Sequence, residues 1–227
     1  MKLQSLLTIA FLGLTVGLAS QANAQSLTSP VTFTGGAAQG TLAAFNGWEM
    51  GYKFEANTAI TVADLSVYDS AGSTGNGLAV SIPVGIWNSS GTLLGSVIVP
   101  AGSDVPIQDD FRYAALSTPI TLVAGQTYYV AAWYENNGGQ STQQAVARQT
   151  TNQVYDPSIT WLNSADINIG GTGNLTFPNG SFGTNGLFGG SFLESTQAVP
   201  EPGTWALMVG GLSLLVVIQR RKRKLGL

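Results

Sequence analysis

Cysteine and histidine are both absent from the 227-residue chain, and charged side chains make up only 9% of it, against roughly a quarter in an average soluble domain. Without these two residue types there is no disulfide framework, no thiol nucleophile, no serine–histidine relay and no zinc site of the usual nitrogen and sulfur kind. The 12 acidic and 9 basic residues leave a net charge of −3 and a pI near 4.7. That balance argues against nucleic acid as a partner, and its small size argues against a charged, disordered chain. What the chain has in quantity is glycine, 29 residues of it, with many Ser, Thr and Asn. This is the composition of a β-rich exported protein, at a length suited to one domain.

The two ends read as addresses. Met1-Lys2 precedes an apolar run from Leu6 to Leu18, followed by Ala22-Asn23-Ala24 before Gln25. One cation, a short apolar core and small residues at −3 and −1 make a secretory signal peptide over 1–24, cut by signal peptidase after Ala24. At the other end Val199-Pro200-Glu201-Pro202 leads into the apolar segment Trp205 to Gln219, then into Arg220-Arg221-Lys222-Arg223-Lys224. Five cations after an apolar helix act as a stop-transfer block and hold residues 220–227 on the cytoplasmic side. The uncharged span from Pro202 to Gln219 is about 27 Å long as a helix, enough to cross a hydrocarbon core of about 30 Å nearly upright. Five of the nine cations lie in this tail, and Lys2 lies in the signal peptide. The region between Gln25 and Val199 keeps only Lys53, Arg112 and Arg148 against eleven acidic groups, a formal charge of −8.

The ordered set of Pro-Glu-Pro, a single apolar helix and a basic terminus resembles the tail of PEP-CTERM sorting proteins. The resemblance implies recognition by an exosortase, a membrane protease-transpeptidase that cuts near Pro200-Glu201-Pro202. It further implies delivery from the inner membrane to the cell surface or beyond, in association with exopolysaccharide in Gram-negative bacteria. The two prolines withhold backbone donors and favour extended chain, which suits a peptide that a protease must grip.

Between the ends, short β-branched and aromatic runs alternate with turn residues. Strands are expected at Val31–Thr34, Trp48–Glu55, Ile60–Tyr68, Val80–Trp87, Thr92–Val99, Phe111–Leu116, Ile120–Val123 and Thr127–Tyr134. Asn88-Ser89-Ser90-Gly91 and Ala124-Gly125-Gln126 are expected to close hairpins. The last run is apolar on both faces, Tyr128, Val130, Ala132 and Tyr134 on one and Tyr129, Ala131 and Trp133 on the other, as in a central strand. Past Glu135, long Gly/Asn/Ser-rich loops carry shorter candidate strands at Ile159–Leu162, Ile167–Ile169 and Leu187–Phe192. Phe177, Phe182, Phe188 and Phe192 recur too regularly for a solvated linker. The expected fold is all-β: an antiparallel, jelly-roll-like β-sandwich over 25–193 with a tether over 194–204, flanked by a signal peptide and a transmembrane helix over 205–219.

From Trp48 to Tyr134 the chain also resembles an uncharacterised domain family of exported bacterial proteins. The matching pieces are Gly51-Tyr52-Lys53-Phe54, Ile60-Thr61-Val62, Val84-Gly85-Ile86-Trp87 with Gly91-Thr92-Leu93-Leu94, and Pro119-Ile120-Thr121-Leu122 with Ala124 to Tyr129. These are strand and turn residues. They imply a β-sandwich and carry no catalytic group.

For chemistry the sequence offers three candidates. Trp48, Trp87, Trp133 and Trp161 have planar rings able to stack on sugars, or to fill a core. Asp104, Asp109 and Asp110, with Asp69 and Asn76, are loop oxygens of the kind calcium uses, though their spacing departs from a calcium-binding loop and suits ordinary turns. Glycosidase or lyase chemistry would need two facing carboxylates, which no motif selects. The reading is therefore a non-enzymatic structural or adhesive surface protein without a cofactor. A carbohydrate-binding module is the alternative.

Overall fold

The computed structural model describes residues 26–38, 41–44, 47–70, 77–135, 145–170, 174–183 and 186–196. The signal sequence through Ala24, the Pro200-Glu201-Pro202 tripeptide, the apolar span 205–219, the Arg220 to Lys224 cluster, Asn76 and the stretch 136–144 lie outside the described residues. Among the described residues no helix is long and apolar enough to cross a membrane.

The strands follow in order as β1 (Ser26–Thr28), β2 (Val31–Phe33), β3 (Thr41–Ala44), β4 (Trp48–Ala56), β5 (Ile60–Tyr68), β6 (Ile82–Asn88), β7 (Leu93–Val99) and β8 (Ile107–Gln108). Then come β9 (Phe111–Leu122), β10 (Thr127–Tyr134), β11 (Ala145–Arg148), β12 (Gln153–Tyr155), β13 (Ile159–Asn168), β14 (Leu187–Phe188) and β15 (Gly190–Thr196). Two five-stranded antiparallel sheets carry the fold. The first runs β1-β15-β5-β9-β8 and the second β13-β4-β10-β6-β7, with small sheets β14-β11-β3 and β12-β2 beside them.

The two large sheets face each other across one apolar core. Met50, Tyr52 and Phe54 of β4 and Val130, Ala132 and Tyr134 of β10 share a buried cluster with Val62, Leu65 and Val67 of β5 and Phe192 of β15. The Phe54 and Phe192 rings meet across the sheets at 5.2 Å, and the Tyr52 hydroxyl lies 2.9 Å from Ser191 Oγ. Period-two alternation, shifted on β5 by a break in register between Val62 and Asp64, puts these residues on one side of each strand, and the ring contacts add about 0.5–1.5 kcal/mol each beyond burial of area.

Local chemistry explains the β6–β7 hairpin. Asn88 Oδ1 accepts the amides of Ser90 at 3.0 Å and Thr92 at 2.9 Å, an Asx-type turn that reverses the chain. The second expected hairpin is a different object. Gly125 has φ +74° as a tight turn requires, yet β9 and β10 belong to different sheets. β10 has both edges occupied by β4 and β6, and β9 lies between β5 and β8, so neither has an edge for the other. The turn is a corner between sheets, held by Gly125 N donating to Ala56 O at 2.7 Å and Val123 N to the Tyr128 hydroxyl at 2.8 Å.

Two further differences have the same physical origin. The runs Phe111–Leu116 and Ile120–Val123 join into β9, because the chain stays extended through a break in register. Val62 opposes Ile120 while Asp64 opposes Ala115, leaving Leu116 to Pro119 as an insert where proline can donate nothing to a ladder. Likewise Ile159–Leu162 and Ile167–Ile169 join into β13 through polar Asn163 to Asp166, extended because β4 supplies a partner for each. β15 reaches Thr196, past the tether boundary expected at residue 194. Glu194 and Ser195 are buried and pair with Val62 and Thr61, and Thr196 pairs with Ser26 of β1.

Where β5 ends, Arg112 Nε donates to Asp69 Oδ2 at 2.7 Å, with both side chains at most 3% exposed. Arg112 Nη1 also donates to the carbonyls of Ser103 at 3.1 Å and Val105 at 2.7 Å, binding the 101–110 loop to the sheet. Removing one member of such a pair strands the other charge away from water. Arg112→Ala is therefore expected to lower unfolding free energy by about 3–5 kcal/mol in urea titrations, and a loss under about 1 kcal/mol would contradict this account.

Candidate functional site

The outer face of the second sheet holds the most unusual chemistry. Strand register arranges its outward side chains in rows. One row runs Leu93, Trp87, Tyr129, Lys53, Asn163. The next runs Ser96, Gly85, Ala131, Gly51, Ala165, and the third includes Trp133, Glu49 and Ile167. Ala131, Gly51 and Ala165 thus floor a trough between larger residues, and the Trp87 ring and the Leu93 side chain lie over Gly85 at its β6 end. Gly51 is required there by close approach, since a Cβ would fall 1.8 Å from the carbonyl oxygen of Val130 and 2.6 Å from Ala131 Cα.

This face is covered. The segment 174–183 crosses it, and Thr176 N donates to Glu49 Oε2 at 2.6 Å. The Phe177 ring meets Tyr129 edge-on at 4.7 Å, and Lys53 Nζ lies 5.6 Å from the centre of the same tyrosine. At the free edge of β13, Gly180 and Asp166 exchange backbone hydrogen bonds, Ser181 Oγ meets Ser164 Oγ at 3.1 Å, and Phe182 packs on Trp48 at 5.2 Å. The recurrent phenylalanines are therefore anchors, Phe177 and Phe182 on the strap and Phe188 and Phe192 in the core.

Glu49 is fully buried, and its Oε1 has no hydrogen-bond partner among the described residues. Burial raises its pKa from 4.5 to about 8, the Thr176 amide opposing that shift. The position looks unremarkable in sequence, one of the odd-numbered residues Glu49, Gly51, Lys53 and Glu55 that alternation assigns to solvent. The available signal lay in the neighbouring strand: a Tyr129/Ala131/Trp133 face is too apolar for water and implies a cover.

The four tryptophans do not form an open platform. Trp87 and Trp133 are each 2% exposed, on the outer face of the second sheet. Trp48 and Trp161 are half-buried against the core, Trp161 stacked on Tyr155 at 6.2 Å. Of the loop acids, Asp69 and Asp110 are neighbours, the Asp69 amide donating to the Asp110 carbonyl at 2.8 Å. Asp69 is committed to Arg112, Asp104 is exposed, and Asp109 and Asp110 take left-handed turn conformations with φ 52° and 66°. Among the described residues no three acidic side chains converge as metal ligands would. Of the other buried acids, Asp64 lies on β5, Asp166 on β13, and Glu194 on β15, where it accepts the Ser158 hydroxyl at 2.7 Å.

The raised pKa of Glu49 fixes the sign of a pH effect. The unfolded chain releases this proton near pH 4.5 and the folded chain holds it to about pH 8. Across that window the folded state binds more protons, so stability present below it is lost as pH rises. Burial also raises Asp64, Asp110, Asp166 and Glu194, which act in the same direction. Glu49→Gln keeps an acceptor for Thr176 and removes one titration. It should gain on the parent by about 1.4 kcal/mol for each unit separating the two pKa values, read as urea midpoints between about pH 5 and about pH 9. Parallel curves for the two proteins would reject the assignment.

Comparison with family models gives two matches. Residues 198–224 match the PEP-CTERM protein-sorting motif, which marks an exported protein processed by an exosortase. Residues 23–188 match a domain of unknown function, DUF4082. No curated protein matches the chain. The second match spans β1 to β14, including every strand of the trough, and the chain belongs to the DUF4082 family with a PEP-CTERM sorting motif behind its β domain.

Proposed function

We propose that this is a non-enzymatic surface or matrix protein of structural or adhesive type, processed at both ends and working among exopolysaccharide. The observation that carries the reading is the position of the sorting motif relative to the fold. β1 begins two residues after Ala24, β15 ends four residues before Pro200, and Ser26 pairs with Thr196. The segments proposed for removal thus adjoin a finished domain edge, and cutting both leaves the sheets whole. Signal peptidase and an exosortase are the processing partners in this reading, and the inner membrane is a transient station. A non-catalytic role is supported by the commitments of the buried acids: Asp69 to Arg112, Glu194 to Ser158, and Glu49 to Thr176.

A second reading, carbohydrate binding, is favoured by one specific observation. Trp87 and Trp133 are buried outside the core, on a sheet face that the irregular segment 174–183 crosses.

Expression with and without the exosortase tests the first reading. With the enzyme, intact mass should place the N-terminus at Gln25 and the C-terminus near Pro200-Glu201-Pro202, with the product outside the inner membrane. Without it, a longer membrane-bound form should accumulate. A full-length product in the inner membrane under both conditions would refute the proposal.

A further inference from the structure

We propose that the trough floored by Ala131, Gly51 and Ala165, with the Trp87 ring at its β6 end, is a binding groove for a neutral polysaccharide chain, with segment 174–183 as its built-in cover. This rests on the carbohydrate-binding reading and names its site.

Three observations converge on the groove. The first is shape: the small residues Ala131, Gly51 and Ala165 lie in a row between Tyr129 on one side and Trp133 on the other, and the Trp87 ring lies over Gly85 at the β6 end of that row. The second is an acceptor without a donor. Glu49 is fully buried on this face, and its Oε1 is unpartnered among the described residues while Oε2 takes only the Thr176 amide. A buried polar atom left this way costs about 1–3 kcal/mol, which a ligand hydroxyl would relieve. The third is an entrance. Where the row reaches β7, a cavity of about 550 Å³ opens, lined by Pro83, Leu93, Ser96 and Ile98 of the sheet and by Asn174 and Leu175 of the cover. That size lies within the ordinary range for ligand sites.

The chemistry selects the occupant. Indole rings and a flat, small-residue floor accept the C–H faces of sugar rings, and Glu49 and Asn163 address hydroxyls. Lys53 already sits over the Tyr129 ring, so the groove offers an anionic sugar little compensating charge. The cover is held lightly where it crosses the trough. Among the described residues, 175–179 join no ladder, and the segment is held by the Thr176 amide on Glu49, by the Phe177 ring against Tyr129 and Gly91, and by burial of Pro178. Such segments open at lower free energy than the sheets beneath them. Affinity in the closed protein is then reduced by the fraction of time the cover is open.

The test compares the full-length chain, in a detergent without sugar headgroups, with a Leu175→Gly/Thr176→Gly/Phe177→Gly variant. Cellohexaose, chitohexaose and mannohexaose are the probes, with hexagalacturonate as the charged control, by titration calorimetry and tryptophan fluorescence. The variant should keep its strand circular dichroism, become more quenchable by acrylamide, and bind at least one neutral hexasaccharide about tenfold more tightly. Adding Ala131→Leu, which fills the floor, should cancel the gain. Unchanged quenching shows that the segment is no removable cover and overturns the proposal. So does greater quenching without tighter binding, or a gain confined to hexagalacturonate. Equal binding by all three proteins places the sugar elsewhere, sinking the groove while carbohydrate binding survives. No binding by any of them rejects both.

Discussion

β10 carries large apolar side chains on both faces, and a two-sheet sandwich can cover only one of them. Tyr128, Val130, Ala132 and Tyr134 are sealed by the facing sheet, whereas Tyr129, Ala131 and Trp133 point away from it. A third layer is therefore obligatory, and 174–183 supplies it. The Gly-, Asn- and Ser-rich composition of that region follows from the task. A segment laid over a sheet without joining its ladder needs turns and small residues to thread between side chains, and apolar anchors at intervals, which Phe177 and Phe182 provide. Covering the sheet this way also buries Glu49, a group whose desolvation is met by one hydrogen bond.

Much of the fold was legible because its longer strands are β-branched and aromatic runs bounded by turn residues. Ile60–Tyr68 and Thr127–Tyr134 coincide with β5 and β10, and the central position of β10 followed from its two apolar faces. What escaped has a common cause. β1, β3, β8, β11 and β12 are two to four residues long, too short to display a period, and exist because a neighbour offers backbone partners. β13 escaped in its middle because Asn163 to Asp166 are polar yet paired along β4. The corner at Gly125 read as a hairpin because local turn chemistry is the same whether the next strand joins its predecessor or crosses to the other sheet. Of the candidate site, the tryptophans were visible and their burial was not, since alternation reports faces and says nothing of a third layer. The domain match and the sorting motif, by contrast, were carried by residues the sequence displays in order.

Scarcity of charge shapes the electrostatics in an unexpected direction. The formal −8 between Gln25 and Val199 assumes every acid ionised. Glu49, Asp64, Asp110, Asp166 and Glu194 all have pKa values raised chiefly by burial. With few cations to pair them, their environment favours the neutral form as pH falls, so the folded domain carries less charge than its composition states. Arg112 is the exception that defines the cost. Placed beside Asp69 and given two carbonyls, it turns a buried charge into a tie for the 101–110 loop. Contacts with partners then fall to amides, hydroxyls and ring faces, the groups that suit an uncharged polymer.

The termini complete the mechanical argument. β1 is antiparallel to β15, so Ser26 and Thr196 sit side by side, about 5 Å apart across one strand spacing. Chain entering β1 and chain leaving β15 therefore lie side by side at one edge of the first sheet. Thr196 takes its register from Ser26, whereas Ser195 and Glu194 are also backed by β5. The outermost residue of the last strand is thus fixed by the first strand of the mature chain. The described body closes four residues short of Pro200. Four extended residues reach about 13 Å, which sets how near to the folded sheets a protease acting at the tripeptide must work.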